Sequence, residues 1–277
     1  MRWWSEQTEE HKERVRTLVK ERRLEFANGG WSMHDEACTY YEDMITNMEA
    51  GHRFLMREFG VRPRAGWHLD PFGHSSTNAA LFADMGFSGW FFARLDYQDK
   101  AERLANRSME FLWRPMWRNR GEAAEIFTHA MYDHYYPPPG FCWATGSCSY
   151  YDEPVVDDKQ FKTYNVEERI DEFYRWVLHM REHYRSPNLL IPMGGDFFFK
   201  NAHKIFLNTD KLIKNFNAKY SDFKLVYSTP ESYLKAVHAA NVEWPVKYDD
   251  MFPYADGEHA YWTGYFTSRP NSKGLFR

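Results

Sequence analysis

Ala65-Gly66-Trp67-His68-Leu69, then Asp70-Pro71-Phe72-Gly73-His74-Ser75, then Ser76 to Met85 before Gly86 form three contrasting segments in one continuous run. The first five residues are a short apolar run bounded by a turn, the signature of a buried strand. Pro and Gly break the run. Ser76 or Thr77 then offers a side-chain cap for a helix, and Gly86 stops it. Strand, turn and helix in about twenty residues is half of a βαβ unit.

The same alternation recurs along the rest of the chain. Strands are expected at Leu24–Ala27, Gly89–Ala93, Met109–Trp113, Glu125–His129, Leu189–Met193 and Lys224–Tyr227. Helices are expected at residues 5–22, 34–59, 166–185 and 202–218, the second ended by Gly60. Residues 131–150 are rich in Pro, Tyr and Gly and read as an exposed loop. The pattern predicts an α/β fold whose mostly parallel sheet is covered by helices.

At 277 residues the chain is near the upper size for one hydrophobic core. Lys and Arg number 35 against 39 Asp and Glu, a net charge of −4, which gives no footprint for nucleic acid or an anionic membrane. No apolar run reaches the ~18 residues of a membrane span, and the start lacks the apolar centre of a signal peptide. Aromatic residues are 18 % of the chain, enough to supply both a core and flat faces for sugar rings. The three cysteines, Cys38, Cys142 and Cys148, form no Cys-x-x-Cys pair. Cys142 and Cys148 are near enough in sequence to close a small loop in an oxidising compartment. Asn106-Arg107-Ser108 is a glycosylation sequon.

Two aspartates follow predicted strands directly: Asp70 after 65–69 and Asp196 after 189–193. Ligands of parallel α/β sheets bind beyond the carboxyl ends of the strands. A carboxylate pair there is the minimal apparatus of glycoside hydrolysis, although either Asp alone is also an ordinary helix cap. Gly194 and Gly195 permit a close backbone approach before Asp196. Phe197, Phe198 and Phe199 are expected to desolvate that carboxyl and raise its pKa, as a general acid requires. His68 and His74 flank Asp70; they read as buried, hydrogen-bonded imidazoles, with metal ligation the rival reading.

The stretch Trp67-His68-Leu69-Asp70-Pro71-Phe72-Gly73-His74-Ser75 resembles the nucleophile motif of glycoside hydrolase family 38, the retaining, zinc-dependent α-mannosidases. Four further stretches agree in order: residues 24–31 (Leu24 to Trp31), 93–100 (Ala93 to Lys100), 193–197 (Met193 to Phe197) and 252–265 (Phe252 to Tyr265). The resemblance runs nearly end to end and is nearest to the lysosomal branch. It implies that Asp70 is nucleophile and one zinc ligand, and that Asp196 is the general acid/base. It implies that Phe72 and Trp262 line a mannose site, that Arg94 sits by the nucleophile, and that Tyr136 and Asp256 contact sugar hydroxyls. The implied substrates are mannose-containing oligosaccharides and glycoproteins, with no nucleic-acid or membrane partner, in a lysosomal or other acidic secretory compartment. The same branch carries a close cysteine pair, which implies a Cys142–Cys148 disulfide and Cys38 left as a buried thiol.

The implied zinc (Zn2+) is held in the family by two Asp and two His, of which this sequence supplies Asp70 alone. His34-Asp35 is not promoted to a replacement. The chain is therefore expected to be an internal piece of a longer polypeptide. Residues 1–245 would be α/β catalytic domain lacking its start, and 246–277 the beginning of a helical middle domain. Two other readings compete: a non-catalytic carbohydrate-binding remnant, and an unrelated metal-dependent hydrolase using Asp70, His68 and His74.

Overall fold

The apolar run Gly89–Phe92 forms strand β2, and all four residues are buried. A strand covered on both faces has no use for polar alternation. In the computed structural model, which describes residues 2–144 and 153–276, β2 lies between β1 (Ala65–His68) and β4 (Ile126–Ala130), parallel to both. β4 pairs antiparallel with β3 (Glu110–Trp113), and β3 pairs parallel with β5 (Val246–Lys247), giving the order β1-β2-β4-β3-β5. The fold is α/β with a mostly parallel sheet. The domain boundary expected between 245 and 246 falls where β5 joins that sheet.

The helices are α1 (Arg2–Ser5), α2 (Glu9–Lys20), α3 (Tyr41–Phe59), α4 (Ser76–Asp84), α5 (Tyr97–Asn106), α6 (Val166–Arg181), α7 (Ala202–Lys219), α8 (Pro230–Ala239) and α9 (Pro270–Phe276). α3 begins seven residues later than the expected His34, at Tyr41. Asp35 Oδ1 accepts the N–H groups of Ala37 and Cys38, and that local bond competes with a helical turn. α5 and α8 went unread in the sequence, although each has a cap. Asp96 accepts from the N–H groups of Gln98 and Asp99, and Thr229 accepts from Ser232 with Pro230 at the first helical position.

Three expected strands are not strands. Residues 24–27, 189–193 and 224–227 enter no ladder. Leu225 has its N–H and C=O taken by the Asn217 side chain instead. Along 189–193 no backbone group has a hydrogen-bond partner among the described residues. An apolar run predicts extended backbone, but a strand also needs a neighbour.

The core straddles the sheet. Trp90 and Trp113 stack at 5.2 Å between centroids and 8° between planes, with Phe82, Phe92 and Phe111 packed in the same cluster. On the other face, Phe91, Phe127, Tyr233, Leu234 and Val237 pack α8 against the sheet. α3 packs on the segment between α2 and α3 through Gly51, where a Cβ would stand 2.0 Å from Gly29 O.

Candidate active site

β1, β2 and β4 run parallel, so their carboxyl ends open at one edge. Their register aligns His68, Phe92 and Ala130. Just past these residues the chain delivers Asp70, Arg94 and Tyr135 to a common point. Arg94 donates from Nε and Nη2 to Asp70 Oδ1 at 2.8 and 2.6 Å, and the Tyr135 hydroxyl donates to the same oxygen at 3.3 Å. Asp70 Oδ2 has no partner among the described residues. One carboxylate oxygen is fixed and the other is open.

Aromatic rings surround the guanidinium. Arg94 lies 4.6 Å from the Trp262 ring, 5.0 Å from Phe72 and 5.8 Å from Tyr254. Phe72 and Trp262 are 4.8 Å apart, forming one aromatic wall. Tyr254 donates its hydroxyl to Asp256 Oδ1 at 3.0 Å and accepts from Arg94 Nη1 at 3.4 Å. Burial opposes the charge on Arg94, but its bonds to Asp70 and Tyr254 hold its pKa above the ordinary value. Burial, then the neighbouring Asp70 charge, raise the pKa of Tyr135, so its hydroxyl stays protonated and donates. The structure thus brings Asp70, Phe72, Arg94, Trp262 and Asp256 into one constellation.

The turn that carries Asp70 is clamped. Gly73 has φ of +102°, and a Cβ there would meet the Phe252 ring at 2.5 Å. His74 and Met251 exchange backbone hydrogen bonds of 3.2 and 2.9 Å. His68 and His74 are completely buried beneath the turn, each with Nδ1 on Glu36 Oε1, at 2.7 and 2.9 Å. They are buried imidazoles, and their burial removes them as ligands facing the cleft. His34 and Asp35 are likewise engaged, His34 Nε2 with Asn78 Oδ1 at 2.8 Å and Asp35 Oδ2 with the Tyr265 hydroxyl at 2.8 Å.

Asp196 approaches from the segment that has no ladder. A cavity of about 440 Å³ is lined by Asp70, Tyr135, Trp67, Met131 and Asp196, among others. Asp70 and Asp196 therefore line one cleft. A larger cavity of about 730 Å³ lies behind residues 189–193, against α7 and residues 222–228, and contains neither carboxylate. The apolar wall expected around Asp196 is not formed. Phe197, at a left-handed turn (φ 58°), is 72 % and Phe199 50 % exposed; only Phe198 is buried, with the Phe199 ring against its edge at 5.2 Å. Tyr136 stands on this side of the cleft, where a Cβ on Gly195 would meet its ring at 3.0 Å.

Beside the expected Tyr136, the structure places Tyr135, His134 and Lys100 near Asp70 and Arg94, and no motif marks these three in the sequence. His134 sits just before Tyr135 with φ of 51°, and its pKa is pushed down to about 4, by burial first and then by Arg94 and Lys100. Lys100 is held below its ordinary pKa by burial, which its neighbours Asp133 and Asp256 oppose. The adjacent tyrosines of an irregular loop carry no periodicity to say which one turns inward.

A metal fits these residues poorly. Among the described residues no three His, Cys, Asp or Glu side chains are disposed to hold one ion. Asp70 offers only Oδ2, so the described residues alone do not make a zinc site. Cys142 is disulfide-bonded, while its expected partner Cys148 lies outside the described residues. Cys38, expected to be buried, is half-buried, and its Sγ faces the carbonyl oxygens of Tyr265 and Phe266 at 3.9 and 3.8 Å.

Residues 1–257 match the description "Glycosyl hydrolases family 38 N-terminal domain". The chain is 48 % identical to "Lysosomal alpha-mannosidase" of Cavia porcellus over 277 residues, covering 98 % of this chain and 27 % of that protein. It is 45 % identical to the protein of the same name from Dictyostelium discoideum, over 100 % of this chain and 27 % of that one. "Alpha-mannosidase" of Canavalia ensiformis is 46 % identical, over 97 % and 27 % respectively. The chain thus spans about a quarter of the length of these relatives. The crystal structure of an alpha-mannosidase from Enterococcus faecalis V583 shares the fold, with a TM-score of 0.62, 18 % identity, and coverage of 87 % of this chain and 24 % of that one.

Proposed function

The chain belongs to glycosyl hydrolase family 38, and we propose that its protein is a retaining α-mannosidase that removes terminal α-mannose from glycoprotein N-glycans. Asp70 Oδ2 attacks the anomeric carbon while Asp196 protonates the departing glycosidic oxygen. A mannosyl ester on Asp70 results. Asp196 then takes a proton from water, which releases mannose with its configuration retained. Arg94 and Tyr135 keep Oδ1 out of the reaction, so that attack has one direction. Phe72 and Trp262 offer apolar faces to the sugar ring, and Asp256 and Tyr136 offer polar groups to its hydroxyls. The names of the relatives support a lysosomal setting. Among the described residues no helix is long and apolar enough to cross a membrane.

The observation that carries this reading is the unequal treatment of the two Asp70 oxygens at a cavity that Asp196 also lines. Retention requires the carboxyl groups to work at roughly 5–5.5 Å, too close for an inverting water. Following the anomeric proton of released mannose by NMR tests it. The α-anomer should appear first, and Asp70→Asn should abolish turnover while the melting temperature stays near that of the unsubstituted protein. Release of the β-anomer, or turnover in Asp70→Asn, would overturn the mechanism.

A further inference from the structure

Glu36 is the buried carboxylate beneath the turn, 5 % exposed, and it lines neither of the two cavities. Its three donors come from both sides of Asp70. His68 Nδ1 lies before it, at 2.7 Å; His74 Nδ1 and the Ser75 N–H lie after it, at 2.9 and 2.7 Å. The Nε2 atoms of both imidazoles have no partner among the described residues, so Glu36 is the polar tether of each ring. Ser75 also caps α4. A single side chain thus ties the end of β1 to the start of α4, and the Asp70–Gly73 turn is the loop between the two knots.

We propose that Glu36 is a positioning residue that fixes the Asp70 turn so that Oδ2 meets the anomeric carbon. This rests on the function proposed above. Burial alone would neutralise such a carboxylate, but the neighbouring His74 and His68 outweigh it and hold the pKa below the ordinary value. An anion accepts from all three donors at once, whereas a neutral amide offers a single acceptor oxygen in place of two. Without the tether the turn still closes on Gly73 and Met251, yet its apex is free to drift. A displacement of about 1 Å at a reacting atom costs on the order of 10²-fold in rate.

The test compares Glu36→Gln and Glu36→Asp with Glu110→Gln in the full-length protein, using an aryl α-mannoside and thermal melting. Glu110 is the matched control: it is also buried and accepts from His129 Nδ1 at 3.0 Å and the Tyr233 hydroxyl at 2.6 Å, but on β3, away from Asp70. Glu36→Gln should lower kcat about 10²-fold with KM within about twofold. Glu36→Asp keeps the charge and should lose less, while Glu110→Gln should lower the melting temperature and leave kcat in place. Turnover by the unsubstituted protein with kcat unchanged in a folded Glu36 variant overturns the positioning role alone. So does failure of both Glu36 variants to fold where Glu110→Gln folds. No turnover by the unsubstituted protein removes the proposed function and this role with it.

Discussion

Of the three N–H and O–H groups that converge on Asp70 Oδ1, Arg94 supplies two and Tyr135 one. Tyr135→Phe leaves the guanidinium pair intact and removes the longest bond. It should lower kcat/KM about tenfold, or about 1.4 kcal/mol of transition-state stabilisation. Tyr136→Phe, which leaves Oδ1 fully bonded, should cost less; steady-state kinetics on both variants decides the order. Asp70 was legible as a candidate because strand, turn and helix signals bracket it. Arg94 was legible only through family resemblance, since nothing in its local sequence marks an arginine whose partner lies 24 residues away. Tyr135 was not legible at all. Its inward aim depends on the left-handed backbone at His134, which no propensity rule assigns to a histidine.

Helices and strands differ in how much of their cause is local. α4 and α7 fall within a residue or so of expectation: Ser75, one position before the expected Ser76 or Thr77, caps α4, and α7 follows its apolar periodicity with no side-chain cap. β2 is equally plain, since burial on both faces leaves an unbroken apolar run. Residues 189–193 have that same run and form no strand, for want of a partner, and this is non-local information. Between elements, the contact of α3 with the segment that precedes it depends on Gly51. Ala is the better helix former by about 1 kcal/mol, yet its Cβ would meet backbone at 2.0 Å, where no rotamer can relieve the overlap. Gly51→Ala should therefore destabilise the fold by about 1–3 kcal/mol. Urea denaturation measures it, and an unchanged or raised midpoint would mean that α3 can shift without loss.

For the molecule as a whole, the desolvated histidines contribute to the response to acid. His134 has a folded pKa of about 4, against an unfolded value of about 6.5. Above that unfolded value it is neutral in both states and contributes nothing. Between the two values the unfolded chain takes up a proton that the folded one refuses, so stability falls as pH falls. His68 and His238, also held down by desolvation, add to that slope. Melting curves of the protein and of His134→Asn, whose side chain tolerates the left-handed backbone, should diverge across that window, with the shallower slope in the variant. Parallel slopes would mean that His134 charges freely in the folded state. The two carboxylates of the cleft sit on unequal supports. Asp70 follows a strand hydrogen-bonded to its neighbour, over a turn tied to Glu36 and Met251. Asp196 ends a segment whose backbone groups, from Leu189 to Met193, are unpaired among the described residues. One wall of the cleft is thus a fixed bearing and the other a compliant one. Under the proposed mechanism, the gap between Asp196 and Asp70 is expected to vary with the nanosecond-to-microsecond excursions of loops rather than to be locked to the sheet.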